Sequence, residues 1–154
     1  MTQEPEQLII EFAGFCERPG ARECWGWVLK RGGVAIAMGS GTRPSQSTNT
    51  LNQAEYFGLG CGLRAAAVAV TELAASELIM RGDSRLVINQ VCGLWEAKAP
   101  EMIRLRDRCG ELLKQIGLIW RTEYIDHAAN ATAGMLASDE YMKHEKKRPA
   151  KKVA

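Results

Sequence analysis

The chain has 154 residues, of which 46% are hydrophobic and 25% are charged. This length and composition predict one compact domain with its own core and exclude an intrinsically disordered protein. No apolar run approaches the roughly 20 residues of a membrane helix, and the first residues, MTQEPEQ, lack the layout of a signal peptide. We therefore expect an intracellular protein, cytoplasmic or nuclear, with no membrane partner. The five cysteines form no CxxC pair, which favours free thiols in a reducing compartment.

The C-terminus is strongly basic. The last twelve residues, KHEKKRPAKKVA, have a net charge of +5, which leaves the rest of a chain whose total is +2 near −3. We predict an N-terminal extension at residues 1–7, a domain at residues 8–143 and a solvated, disordered basic tail at residues 144–154. The alternative is that this tail is a phosphate-binding arm or a nuclear import signal.

The first part of the chain predicts three strands. Residues 8–12 are apolar and extended, and the turn signal Pro19-Gly20 follows them. Two further strands, at residues 24–30 and 34–41, flank Gly32-Gly33, a dipeptide that can take the positive φ values of a tight hairpin. We therefore expect three antiparallel strands in sequence.

The rest of the chain predicts helices that alternate with strands. An alanine- and leucine-rich run from Asn52 to about Val70 predicts a helix with Glu55 on its inward side. The elements expected after it are a strand at residues 77–81, a helix that stops at Gly93, a helix after Pro100, a strand at residues 118–125 and a helix at residues 131–143. The order β β β α β α α β α indicates an α/β domain with a five-stranded mixed sheet, in which parallel crossovers extend the antiparallel strands.

Four stretches of the sequence match known motifs. EFAGFCERPG is similar to the first-strand motif FDG and its Pro-Gly loop, and TLNQAEYFGLGCGLRAA is similar to TNNxAEYxALxxGLxxA. MRGDSRLVINQVCGLWEAKAPEM is similar to GDSxLVxxQxxGxWxxKxPxL, and YIDHAANATAGMLAS is similar to VxxxxNxxADxLA. In this order and at these spacings, they resemble the ribonuclease H family in its compact cellular and retroelement form. The resemblance covers about residues 8 to 140 and implies a ribonuclease H-like fold.

The resemblance also implies a set of catalytic positions. Members of the family cut the RNA strand of an RNA–DNA hybrid with two magnesium ions held by four carboxylates, in the order Asp, Glu, Asp, Asp. The second and third acids fall on Glu55 and Asp83. The first falls on Ala13 when EFAG is aligned with EFDG, or on Phe12 in an ungapped register, and the fourth falls on Gly134. Two of the four metal-binding carboxylates are therefore missing.

The two missing acids belong to the same side of the metal site. In the family the first aspartate bridges both ions and shares with the fourth the ion that activates water. By this resemblance Glu55 and Asp83 would hold at most one Mg²⁺ or Mn²⁺, weakly, or the domain would bind no metal. We therefore predict that cleavage is lost or strongly reduced.

Other side chains could take part in the same site. Glu11 is expected on the same face of the first strand as Ala13, about 7 Å closer to the start of the strand. Asp126 and Asp139 lie near the last helix. Of these, Asp126 is the best-placed substitute carboxylate. His127 either reaches the cleft as the family's loop histidine or is an ordinary surface residue.

Several positions that the family uses to hold the hybrid carry polar, basic or aromatic residues. Asn52 matches the second asparagine of TNN, whereas Leu51 replaces the first. Arg18 precedes the Pro-Gly of the loop that faces an RNA phosphate, and its guanidinium can pair with phosphate. The further candidates for nucleic-acid contact are Asn89, Gln90, Trp95 and Lys98, of which Trp95 is equally consistent with helix packing.

Two groups of residues are interpreted as packing. Trp25 and Trp27 share one face of a strand and are expected in the core. Gly58, Gly60 and Gly62 lie within a helix and do not form a phosphate loop, so we expect them to permit close packing.

The leading hypothesis is a degenerate ribonuclease H domain that binds an RNA–DNA hybrid or other double-stranded nucleic acid. One alternative is an active or residually active hybrid endonuclease that uses Asp126 or Glu11. The other is a protein-interaction or tethering module within a larger polyprotein, as in retroelement polymerases with a second, acid-poor ribonuclease H domain.

Overall fold

The computed structural model describes residues 6–146 of the chain, with side chains through residue 145. The strands are β1 (Gln7–Cys16), β2 (Glu23–Arg31), β3 (Val34–Arg43), β4 (Glu77–Gly82) and β5 (Ile119–Tyr124). The helices are α1 (Leu51–Ala69), α2 (Arg85–Val91), α3 (Pro100–Ile116) and α4 (Ala131–Lys146), and a 3-10 turn at Ala128–Asn130 precedes α4. Within this part of the chain, every helix is too short or too polar to cross a membrane.

The observed elements follow the predicted order, and their ends differ from the predicted ones most at β1 and α4. β1 runs to Cys16 rather than residue 12, because it continues to pair with β2 as far as Cys16 opposite Glu23. α4 continues to Lys146, three residues beyond the predicted domain boundary. One turn after Glu140, the side chains of Lys143 and His144 approach its carboxylate at 3.7 and 3.5 Å, contacts that favour this extension. The rest of the predicted tail, residues 147–154, lies outside the described residues.

The five strands form one mixed sheet in the order β3-β2-β1-β4-β5. β2 pairs antiparallel with β1 and β3, and β4 pairs parallel with β1 and β5. α1 and α4 cover opposite faces of the sheet at β1 and β2. Two neighbouring residues of β1 show this, because successive residues of a strand face opposite sides of the sheet. Gly14 of β1 faces α1, and Ala13 packs with Ala133 of α4. The predicted five-stranded mixed sheet is therefore confirmed.

Glycines let both helices approach the sheet closely. A Cβ at Gly62 of α1 would lie 2.5 Å from Cγ2 of Ile10, and one at Gly58 would lie 3.0 Å from the carbonyl oxygen of Ala13. On the other face, a Cβ at Gly26 of β2 would overlap the carbonyl oxygen of Ala133. The packing prediction holds for Gly58 and Gly62. It is wrong for Gly60, where a Cβ would meet no atom within 4 Å.

A buried charge links the strands to the start of α1. Glu23 of β2 is fully buried and pairs with Arg43 of β3 at 2.7 Å. Its Oε2 also accepts a hydrogen bond of 2.8 Å from the backbone nitrogen of Thr50, the residue that caps α1. Burial raises the pKa of Glu23, while the Thr50 amide and Arg43 act in the opposite direction. This link fixes the position of the first turn of α1.

We expect the substitution Glu23→Ala to lower the free energy of unfolding by about 2 to 3 kcal/mol, because it removes a charged hydrogen-bond acceptor from the Thr50 amide and the main ion pair of the partly buried Arg43. The measurement is urea unfolding followed by circular dichroism. The matched control is Glu101→Ala, which breaks an exposed pair with Arg104 and should cost at most about 1 kcal/mol. Equal losses in the two variants would contradict the proposed role of Glu23.

Candidate active site and nucleic-acid surface

The packing at the end of β1 indicates which residue aligns with the first metal-binding aspartate of the family. A Cβ at Gly14 would lie 2.6 Å from the backbone nitrogen of Glu55 and 2.7 Å from its Cγ, so only glycine fits there. This matches the glycine of the FDG motif and supports the register that aligns Ala13 with its aspartate. The alternative register would align that aspartate with Phe12, which is fully buried with its ring against Gly82.

Glu55 lies on the second turn of α1 and faces the end of β1. Its side chain is buried, and this burial raises its pKa to about 7. A hydrogen bond with Ser84 lowers the pKa, and the nearby charge of Asp83 adds to the increase. The pair of predicted acids, Glu55 and Asp83, is therefore brought together, and burial favours the neutral form of Glu55.

Asp83 follows β4 and accepts hydrogen bonds from two residues near α4. Its Oδ2 lies 2.9 Å from Nδ1 of His127, and its Oδ1 lies 3.4 Å from Nδ2 of Asn130. Asn130 is buried and also donates to the carbonyl oxygen of Phe12 at 2.8 Å. The sequence interpretation assigned no role to Asn130, although it is the asparagine of the closing NxxADxLA motif. This side chain ties the start of α4 to the ends of β1 and β4.

The positions of the two missing acids border this cluster. Ala13 is 3% exposed and packs against Val28 and Ala133, which fills its side of the site with apolar atoms. Gly134 lies on the first turn of α4, where a Cβ would be 3.7 Å from Cε1 of His127. Neither position supplies an oxygen ligand from its side chain.

The substitute carboxylates are engaged elsewhere or point to solvent. Glu11 pairs with Lys30 at 2.9 Å, and Oδ1 of Asp126 accepts a hydrogen bond of 2.8 Å from the backbone nitrogen of Ala129. Asp139 is exposed on α4. Within residues 6–146 no three His, Cys, Asp or Glu side chains are grouped to hold a metal ion. The residues present therefore do not fit a two-ion centre.

The predicted nucleic-acid contacts differ in accessibility. Asn52 is half-buried on the first turn of α1, Arg18 and Lys98 are exposed, and Trp95 is 48% exposed. The backbone of Trp95 donates to the carbonyl oxygen of Asn89 at 3.0 Å, which holds this segment against the end of α2. These side chains are available to a ligand.

Gln90 requires a correction. Its side chain is buried, and its Oε1 accepts a hydrogen bond of 2.7 Å from the hydroxyl of Tyr56. Its place on the inner side of α2 directs it to α1 rather than to the surface, so the expected contact with ribose or phosphate is not supported.

Comparison with known proteins extends these observations. Residues 21–140 match the family model described as reverse transcriptase-like. The chain is 36% identical over 114 residues to a ribonuclease HI of Halobacterium salinarum, a match that covers 74% of this chain and 54% of that protein. It is 37% identical over 90 residues to a bifunctional protein of Mycobacterium tuberculosis, covering 58% of this chain and 23% of the relative. The match therefore spans about half the length of the Halobacterium protein and about a quarter of the length of the Mycobacterium protein.

Solved structures show the same fold. The RNase H1 of Halobacterium salinarum superposes with a TM-score of 0.78 at 32% identity, covering 89% of this chain and 98% of that one. The N-terminal RNase H domain of the Mycobacterium tuberculosis protein superposes with a TM-score of 0.79 at 26% identity, and the match covers 91% of this chain and 96% of that one. LC11-RNase H1, solved with an RNA/DNA hybrid, superposes with a TM-score of 0.81 at 21% identity, and the match covers 90% of this chain and 99% of that one. On the family model, the sequence identity and the shared fold, the chain belongs to the ribonuclease H family.

Proposed function

We propose that this domain binds RNA–DNA hybrid or other double-stranded nucleic acid and has lost most or all of the cleavage activity of its family. The observation that carries the proposal is the pair Ala13 and Gly134, which border the Glu55–Asp83 cluster at the positions of two absent acids. Of the other acids near this end of the sheet, Glu11 pairs with Lys30, Asp126 accepts a backbone hydrogen bond, and Asp139 is exposed on α4.

The loss of cleavage follows from the remaining ligands. In two-ion hydrolysis, one ion generates the attacking hydroxide and the other stabilises the leaving oxygen, so both must be held. Ala13 presents a methyl group where a bridging carboxylate is needed, and Gly134 presents no side chain. Glu55 and Asp83 would hold a single Mg²⁺ or Mn²⁺ weakly, because Glu55 is buried and its raised pKa disfavours the ionised form that binds metal.

The accessible surface supports a retained binding role. Arg18 and Lys98 are exposed cations, Asn52 is accessible on α1, and Trp95 presents an aromatic side chain. Cations hold the phosphate backbone, while contacts to 2′-hydroxyls and the minor groove distinguish a hybrid from DNA. A relative with the same fold was solved with an RNA/DNA hybrid, which supports the choice of ligand.

Restoring both acids provides the central test. The unaltered domain should cut a labelled RNA–DNA hybrid in Mg²⁺ or Mn²⁺ at a rate near background. The double variant Ala13→Asp with Gly134→Asp should gain cleavage by at least about a hundredfold, because it completes the carboxylate set. Adding Glu55→Gln to the double variant is the control and should abolish the gain. Cleavage by the unaltered domain that Glu55→Gln removes would overturn the proposed loss of activity.

Binding is tested separately by titrating the hybrid at several salt concentrations. Lys98→Ala should weaken binding and reduce the slope of log Kd against log salt concentration by about one, because one phosphate contact is lost. Lys114→Ala, an exposed lysine near the end of α3, is the matched control and should leave the slope unchanged. If no binding is measured even at low salt, the tethering alternative gains support instead.

The buried Glu55 should make stability depend on pH. Its folded pKa of about 7 lies above the ordinary value of 4.5, so folding favours its protonated form. Its contribution to stability is greatest below about pH 4.5 and is lost as the pH rises through about 7. In EDTA, Glu55→Gln should therefore gain stability relative to the unaltered domain between pH 5 and pH 8, by about 3 kcal/mol at most. A constant difference across this range, measured by urea unfolding, would show that Glu55 does not titrate there.

A further inference from the structure

A groove crosses the outer side of α1 and has no part in the candidate active site. It encloses about 540 Å³ between the ends of β2 and β3 and the first turns of α3, a size within the range of small-ligand sites. Gly60 lies where the groove passes over α1, and a Cβ there would meet no atom within 4 Å. The missing side chain at this position leaves the groove open.

The groove and the candidate active site lie on different sides of the same helix. An α-helix turns about 100° per residue, so Phe57, Gly60 and Arg64 lie roughly opposite Glu55. Glu55 faces Gly14 of β1, whereas these three residues line the groove. A ligand in the groove would therefore contact neither Glu55 nor Asp83.

Aromatic rings form the floor of the groove. Trp25 of β2 and Phe57 of α1 have ring centroids 5.0 Å apart, with their planes tilted by 36°. The guanidinium of Arg43 lies 4.9 Å from the centroid of the Phe57 ring. Arg43 is itself held by Glu23 and by Gln53, whose Oε1 accepts its hydrogen bond at 2.6 Å. These contacts hold the two rings of the floor in place.

The rim of the groove is positively charged. Arg64 projects from α1, and Arg104 and Arg108 project from α3. The carboxylate that lines the groove is Glu101, and it pairs with Arg104. In the part of the chain that the structure describes, Arg64 and Arg108 are exposed and have no ion-pair partner. Two guanidinium groups are therefore free to bind an anion.

The thiols in the groove do not offset this charge. Burial raises the pKa of Cys61, and it raises the pKa of Cys109 to about 12. Both side chains are therefore neutral thiols at physiological pH. The groove combines an apolar, aromatic floor with a cationic rim.

We propose that this groove binds a nucleotide, either free or at the end of a single strand. The base would stack on the floor formed by Trp25 and Phe57, and the phosphate would pair with Arg64 and Arg108. Stacking on aromatic side chains tolerates any base, and the planar guanidinium fork matches phosphate geometry. This inference does not depend on the proposed function, because it uses neither the carboxylates nor the predicted hybrid contacts.

The test fills the groove without disturbing its walls. Adenosine 5′-monophosphate, a short adenine oligodeoxynucleotide and inorganic phosphate are titrated at low salt, with binding followed by ¹H–¹⁵N chemical-shift changes. Gly60→Leu places a side chain in the open space and should weaken binding by at least about tenfold. Gly110→Leu is the matched control: this helical glycine of α3 also has open space at its Cβ, but it lies outside the groove and should leave binding unchanged.

A second variant reverses the charge of the rim and leaves the space in the groove unfilled. Arg64→Glu combined with Arg108→Glu should weaken binding of both nucleotide probes while circular dichroism shows an unchanged fold. Binding of both the monophosphate and the oligonucleotide supports a site for a free nucleotide, and binding of the oligonucleotide alone supports a strand end. Three outcomes would overturn the proposal: no binding up to millimolar concentration, equal losses in Gly60→Leu and Gly110→Leu, or equally tight binding of a polyglutamate peptide.

Discussion

The close approach of α1 to the end of β1 is the constraint on which the rest of the site depends. Gly14 permits it, because any Cβ there would collide with the backbone of Glu55. On the opposite face, Gly26 permits the same approach of α4 to β2. Together the two contacts bring Glu55, Asp83 and the first turn of α4 to one end of the sheet. Residues separated by about half the chain thus meet because two positions carry no side chain.

Glu23 and Arg43 connect this site to the groove on the other side of α1. Glu23 holds the N-terminus of the helix through the Thr50 amide, and Arg43 spans from Glu23 to the Phe57 ring. Burying the Glu23 charge is costly unless it is paired and hydrogen-bonded, and Arg43 and the Thr50 amide meet that need. The same pair therefore positions the turn that carries Asn52 and fixes the aromatic floor of the groove.

The sequence predicted the features that depend on local pattern or on a motif. The element order followed from glycine and proline turns and from apolar periodicity, and the motifs located Glu55, Asp83 and the two missing acids. The sequence did not predict that Gln90 points inward, because its partner Tyr56 lies on another helix. It also gave no signal for Gly60, whose role depends on how the ends of β2, β3 and α3 surround α1. Such features arise from contacts between distant segments and have no local pattern.

The small residues at positions 13 and 134 also affect the energetics of the fold. Carboxylates that meet at a metal site repel one another when no cation is bound. Burial raises the pKa of Glu55, and the nearby charge of Asp83 adds to the increase. Two more acids at positions 13 and 134 would add like charge to the same end of the sheet. With Ala13 packed against Val28 and Ala133, this position contributes apolar contact instead. Under the proposed loss of cleavage, small residues at these two positions would therefore stabilise the domain, which is the usual direction of the trade between activity and stability.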